Sequence, residues 1–154
     1  MKLNEFLVKA KIATYATQGE ANERILNDTC KELIFEDGEL KYRDRYYGFN
    51  SFVGEEIVWK GDKIIWSMNY YGKIHKTEIK PKKIYEFLKK AMRQISKERP
   101  FRGPNNFKEG DFEYIDESKG DVDFFKGTEK IFYKGEEVHI LEYHGGLIKP
   151  KLSI

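Results

Sequence analysis

Cysteine occurs once in these 154 residues, at Cys30, and a lone cysteine closes no internal disulfide. A reducing cytoplasm is therefore the expected compartment. The N-terminus shows no charged region leading into an uninterrupted apolar run, so no export signal is expected. No apolar stretch approaches the roughly 18 residues that suggest a membrane span, and no membrane partner is expected. An excess of one charge is missing as well. Against 28 Lys and Arg stand 26 Asp and Glu, a net charge of +2, too little to imply nucleic acid from the total. There are four prolines, and no linker-like or low-complexity segment divides the chain. Residues 1–154 are expected to form a single domain, long enough to bury close to two-thirds of the unfolded surface. There is no Walker-type phosphate loop, dinucleotide fingerprint or nucleophile elbow, and no cofactor is expected.

What is present is a pattern used twice. Tyr42, Asp44, Gly48, Phe52, Gly54, Glu55-Glu56 and Gly61 lead into an apolar strand ending at Tyr70-Tyr71-Gly72. Tyr114, Asp116, Gly120, Phe125, Gly127, Glu129 and Gly135 lead into a strand ending at Tyr143-His144-Gly145-Gly146. The offset between matched residues drifts from 72 (Tyr42 to Tyr114) to 74 (Gly61 to Gly135), as a one-residue bulge and a one-residue loop change would produce. The units are expected over 42–74 and 114–148. Aligned on the turn glycines, Glu55 matches Glu129; aligned on Gly54 and Gly127, Glu56 does. Both alignments stand.

Local signals fill in the rest. Asn4 is placed to cap a first helix whose stripe is Phe6, Leu7, Ala10 and Ala13; it is expected to fray near Thr17-Gln18-Gly19, with a loop or irregular connection over 19–30. Asp37-Gly38 reads as a type I′ turn between strands 32–36 and 39–47. In the second of these, Leu40, Tyr42, Asp44 and Tyr46 share a face by alternation, which puts Asp44 among apolar side chains. Strands 55–59 and 63–71, and again 129–133 and 137–143, read as hairpins across glycine turns. Pro81 opens a helix over 81–98 with the stripe Ile84, Phe87, Leu88, Ala91, Met92 and Ile95. Pro100 and Pro104 then stiffen a loop that holds Arg102. A strand follows at 112–116, and 149–154 reads as a tail. The expected class is α+β: a mainly antiparallel sheet of two pseudo-repeated β-hairpin units, with two helices packed on one side.

Tyr-Arg-Asp-Arg-Tyr-Tyr-Gly (42–48), Phe-Val-Gly-Glu-Glu (52–56), Trp-Ser-Met-Asn-Tyr-Tyr-Gly (66–72), Phe-Arg-Gly-Pro (101–104) and Tyr-His-Gly-Gly (143–146) together resemble an uncharacterised bacterial and archaeal domain-of-unknown-function family. The resemblance spans nearly the whole chain. Its members occur alone or behind a helix-turn-helix domain of the xenobiotic-response type, and the resemblance implies no activity. This chain lacks the extra helices such a head requires, so direct operator reading is not expected.

Candidate site residues are polar groups that alternation places on otherwise apolar faces: Asp44, Asp116, Glu55 or Glu56, Glu129, Asn69, Glu142 and His144. A buried carboxylate either finds partners or changes its pKa, so each is an anchor or a site group. Arg102, with its planar fork, suits a bidentate carboxylate or an anionic ligand. Tyr46, Trp66, Tyr70 and Tyr143 can stack a planar ligand or fill the core. His139 and His144 sit an odd number apart and face opposite sides, while Glu142 and His144 lack a third ligand; no metal site is expected. Three readings follow. In the first, a binding or sensor module takes a small molecule on Asp44, Tyr46, Glu55, Trp66, Asn69, Tyr70, Arg102, Asp116 and Tyr143. In the second, an acid/base hydrolase uses Glu56 or Glu129 with His144 or Tyr143, and Arg102 steadies an anion. In the third, the basic run Lys73, His75, Lys76, Lys80, Lys82 and Lys83 and exposed tyrosines make a surface that contacts RNA, with or without cleavage. Sheet edges leave room for a homodimer.

Overall fold

Alternation along extended backbone sorts each strand's side chains into two sets. In the computed structural model, which describes residues 1–17, 23–149 and 151, one set of every long strand is buried beneath two helices. The strands are β1 (Arg24–Ile25), β2 (Lys31–Asp37), β3 (Leu40–Gly48), β4 (Phe52–Lys60), β5 (Lys63–Ile74), β6 (Asn106–Glu109), β7 (Phe112–Asp121), β8 (Phe124–Tyr133) and β9 (Glu136–Leu147). They form one antiparallel sheet in the order β1-β2-β3-β4-β5-β9-β8-β7-β6. The class is α+β. Two meanders thus meet at their last strands, where Tyr70 of β5 pairs with Tyr143 of β9. Among the described residues no helix is long and apolar enough to cross a membrane.

Helix α1 (Leu3–Lys11) lays Phe6, Leu7 and Ala10 on Tyr42, Val58, Trp66 and Met68. Helix α2 (Pro81–Met92) lays Ile84, Phe87, Leu88 and Ala91 on Tyr114, Ile131 and Val138. Each fully buried Leu, Ile or Phe contributes about 1.5–3 kcal/mol, so these two stripes hold the helices to the sheet. Trp66 and Phe125 stack at 5.7 Å and join the two halves, with Phe101 stacked on Phe125 at 4.3 Å.

Several local expectations are corrected. Asn4 does not cap α1; its amide donates to the Lys97 carbonyl at 2.9 Å, and Lys2 takes the cap position without a side-chain bond. Past Lys11 the chain widens into a π-helical segment, Ile12–Ala16, which rotates the buried set from Ala13 to Thr14 and Ala16. Helix α2 ends at Met92, not 98. Gln94 and Ile95 bond three residues back, to Ala91 and Met92, so Ile95 is buried by a tight turn that continues the stripe without the helix. The 37–38 hairpin is present, but Asp37 pairs with Leu40 and the turn is Gly38-Glu39, where only Gly38 has positive φ (+61°). Residues 24 and 25, expected in a loop, form β1. Residues 106–109 pair with the expected strand after 111 as a hairpin across Gly110 (φ +58°). The remainder of the fraying expected near Thr17 and most of the 149–154 tail lie outside the described residues.

Of the two sources expected for the drift in spacing, the one-residue loop change is present, whereas a bulge does not distinguish the two stretches, since each has a register shift, at Val58/Trp59 and at Ile131/Phe132. Gly48 pairs with Phe52 across three residues, whereas Gly120 pairs with Phe125 across four, so one residue is added in the β7-β8 loop. At the second turn, Lys60 pairs with Lys63 around Gly61-Asp62, and Tyr133 pairs with Glu136 around Lys134-Gly135. Glycine takes the first turn position in one and the second in the other, which is why turn glycines misalign the strands by one.

Candidate functional site

The inward faces of β3 and β4 place Asp44 opposite Glu56, and those of β7 and β8 place Asp116 opposite Glu129. All four carboxylates are buried, at 7, 2, 0 and 0% exposure respectively. Each has a tyrosine. Tyr42 donates to Glu56 Oε1, and Tyr114 donates to Glu129 Oε2 at 2.7 Å. From the last strands, Tyr70 donates to Asp44 Oδ1 at 2.6 Å and Tyr143 to Asp116 Oδ1 at 2.8 Å. The rings of Tyr70 and Tyr143 reach their aspartates by lying over Gly54 and Gly127, where a Cβ would stand 2.5 and 2.2 Å from the hydroxyl.

The cations go to the glutamates. Lys11 Nζ, 2% exposed, sits 2.8 Å from Glu56 Oε1 and donates to the Phe101 carbonyl at 2.5 Å. Arg102 closes a bidentate pair on Glu129 through Nε at 2.9 Å and Nη2 at 3.0 Å. Two stiffening prolines flank that loop, and the Gly103 amide donates to the Tyr114 hydroxyl at 2.9 Å, so Arg102 is held where its fork matches the carboxylate. His139 Nε2 lies 3.2 Å from Glu129 Oε1. Arg99 Nη2 stands 3.8 Å from Asp116 Oδ2 while donating to the Asp116 carbonyl at 2.8 Å.

Electrostatics separate Glu129 from the two aspartates. Burial alone would raise Glu129, but Arg102 and His139 outweigh it and bring the carboxyl down to about 2. Burial and the facing Glu56 push Asp44 up to about 7 against the Tyr70 bond. Burial and Glu129 push Asp116 up to about 7 against Tyr143 and Arg99. Burial also lowers the Lys11 amine, with Glu56 opposing.

Above Asp44 a cavity opens between the sheet, α2 and the π-helical segment. Its walls include Tyr15, Tyr46, Phe52, Tyr70, Tyr85 and Arg102, and it encloses about 30 Å³, room for roughly one water-sized group. Tyr46 donates to Glu23. Asp44 lines this space; its Oδ1 accepts from Tyr70, and no side chain of the described residues bonds Oδ2. The buried Oδ2 of Asp116 likewise accepts no hydrogen bond among the described residues.

Other expected residues lie elsewhere. Glu55, Asn69, Glu142 and His144 point to the face without helices and are exposed, because strand parity separates them from Glu56, Tyr70 and Tyr143 by one residue. Glu55 is half exposed, 3.8 Å from Arg43; it pairs with Arg45 and Asn69 across the sheet, and Asn69 pairs with His144. Glu56, not Glu55, takes the contacts that Glu129 takes. His144 is therefore separated from both glutamates by the sheet itself, and the Glu/His/Arg cluster as expected is not assembled; His139 touches Glu129 instead. Trp66 is core, with Nε1 donating to the Val122 carbonyl at 3.1 Å. Three residues at the site were missed. Lys11 sits four positions after Leu7 on the buried stripe, His139 alternates with Leu141 and Tyr143, and Arg99 lies just before Pro100. The first two carry a periodicity signal that could have found them.

A family model described as a domain of unknown function (DUF5680) matches residues 44–148. No curated protein and no solved structure matches the chain.

Proposed function

The chain belongs to the DUF5680 family, and since that description names no activity, we propose from its own residues that it is a small-molecule-binding module without catalysis of its own. The observation that carries this reading is Asp44: a carboxyl 7% exposed, oriented by Tyr70 on one oxygen and lining a cavity walled by Tyr46, Phe52, Tyr85 and Arg102. Binding sites are concave, mostly apolar and furnished with a few fixed polar groups, and this cavity has that combination.

The other buried charges fit a supporting role. Glu129 is engaged on both oxygens by Arg102, Tyr114 and His139, and Glu56 takes Tyr42 and Lys11 on one oxygen. A glutamate held this way orients the sheet and loop and has little left to offer a substrate, and His144 is on the wrong face for the hydrolase reading. The matching tyrosine, acid and glycine contacts of β3-β5 and β7-β9 support a duplicated hairpin unit, in which one copy keeps its aspartate open and the other closes it. Attachment of similar domains behind helix-turn-helix heads, implied by the resemblance, fits a sensor role.

The test is a thermal-shift panel of small metabolites on the purified chain and on Asp44→Asn. A ligand that raises Tm of the parent and not of the variant, with no product formed, is the expected result; saturation at 100 times Kd adds about 2.7 kcal/mol. Turnover of a panel compound would count against the reading, as would stabilisation that survives Asp44→Asn.

A further inference from the structure

Resting on that reading of the cavity, we infer that its ligand class is a small organic cation: a primary ammonium group seated on Asp44 Oδ2 among Tyr46, Phe52, Tyr70 and Tyr85. The argument starts from how the buried charges pair. Facing Asp44 are Glu56 from β4, Tyr70 from β5, Lys11 from α1 and Arg102 from the loop after α2, with Tyr42 and Tyr46 on its own strand. Lys11 is committed to Glu56 and Arg102 to Glu129. Three carboxylates therefore share two cations, and no lysine, arginine or histidine nitrogen of the described residues lies within 4.0 Å of Asp44, the salt-bridge limit that the other three acids meet. The residues not described contain no lysine, arginine or histidine.

Asp116 shows the same surroundings with a cation nearby. It too faces a glutamate and accepts a tyrosine hydroxyl; its second oxygen accepts no hydrogen bond among the described residues, but the Arg99 guanidinium stands 3.8 Å from it. Asp44 has no such cation and lines a cavity instead. The space, about 30 Å³, suits a group of the size of –NH3+ and is too small for a heterocycle. Its walls carry the rings of Tyr46, Phe52, Tyr70 and Tyr85, which attract a cation through the ring quadrupole, and also Arg102, whose guanidinium is paired with Glu129. Glu23, which accepts from Tyr46, is a second negative group beside one of these walls.

A cation there also competes with a proton. Burial and Glu56 hold Asp44 near 7, and an ammonium beside it favours the ionised form. Uptake then releases a proton, and because only the ionised fraction binds, affinity should tighten about tenfold between roughly pH 6 and pH 8.

The experiment uses propylammonium chloride, with n-propanol as a neutral shape mimic and sodium chloride at equal ionic strength as the salt control. It reads Tm and the 13C resonance of the Asp44 carboxyl through a pH titration of the full chain. Propylammonium is expected to raise Tm and to lower the apparent pKa of Asp44 by about one unit or more, with neither change from n-propanol or sodium. Asp116→Asn should retain the response and Asp44→Asn should lose it; the carboxyl titration of the parent protein keeps the test independent of whether that variant folds. If n-propanol or another neutral compound binds at Asp44 and the amine does not, the cation assignment is overturned while the binding reading stands. If neither the amine nor any member of the metabolite panel binds, both are overturned.

Discussion

Tyr70 and Tyr143 face each other across the β5-β9 ladder, and each turns its hydroxyl back into its own half, onto Asp44 at 2.6 Å and Asp116 at 2.8 Å. The seam of the sheet is thus also the place where the two buried acids are oriented. Both rings need the strand beside them to be bare.

That requirement makes Gly54 and Gly127 sensitive positions. A Cβ at residue 127 would lie 2.2 Å from Tyr143 Cζ and Oη, and one at residue 54 would lie 2.5 Å from Tyr70 Oη and 2.6 Å from the Arg45 carbonyl. Gly127→Ala is expected to cost about 1–3 kcal/mol by overpacking. In a Tyr143→Leu background the same change should cost clearly less, because the ring it displaces is gone. Urea melts of the four proteins check this, and additive costs would refute the coupling.

Removing one partner of a buried ion pair strands the other. Glu129→Gln leaves the Arg102 guanidinium, about 5% exposed, without its carboxylate and is expected to cost about 3–5 kcal/mol. Glu55→Gln, on a half-exposed side chain 3.8 Å from Arg43, should change stability by less than about 1 kcal/mol. Comparable costs at the two positions, measured by chemical denaturation, would contradict the assignment of Glu129 as an anchor.

The two histidines of β9 should separate just as cleanly. His139 is fully buried against Glu129, Phe52 and Tyr85, and His139→Ala is expected to cost about 2 kcal/mol or more. His144 is exposed on the helix-free face, and His144→Ala should stay within about 0.5 kcal/mol of the parent. A large loss at His144 would reopen it as a working residue.

Stability should fall on the alkaline side of an acidic optimum. Asp44 and Asp116 rise from 3.8 to about 7 on folding, so the folded chain binds more protons than the unfolded one between those values. Their contribution is complete below about pH 4 and is lost as pH climbs through about 7. Glu129 runs the other way, from 4.5 to about 2, so its contribution is present above 4.5 and is lost as pH falls through about 2. Tm is therefore expected to peak near about pH 4–5 and to decline toward about pH 8, with Asp44→Asn and Asp116→Asn flattening the decline. A parent Tm that climbs steadily from about pH 5 to 8 would refute the raised aspartates.

Much of this arrangement could be read before folding was considered. Two-residue alternation put Asp44, Asp116 and Glu129 among apolar neighbours, and the stripe from Ile84 to Met92 located α2, because side-chain direction in strands and helices follows from local backbone geometry. Reading failed where one residue of register decides a face. Glu55 and Glu56 could not be told apart because glycine occupies different positions in the Gly61-Asp62 and Lys134-Gly135 turns, and Asn69 and His144 were placed on the apolar side by the same kind of slip.

Alternation and turn chemistry, which act over a few residues, determined the antiparallel class, the buried faces and the presence of acids within them. Which acid receives a cation is a matter of three-dimensional closure. Lys11 reaches Glu56 from α1, Arg102 reaches Glu129 from a loop between the halves, Arg99 covers Asp116, and Asp44 is left facing a cavity. Coulombic pairing in a buried site depends on distances of a few ångströms between segments far apart in the chain, and only the packed helices and loop set those distances.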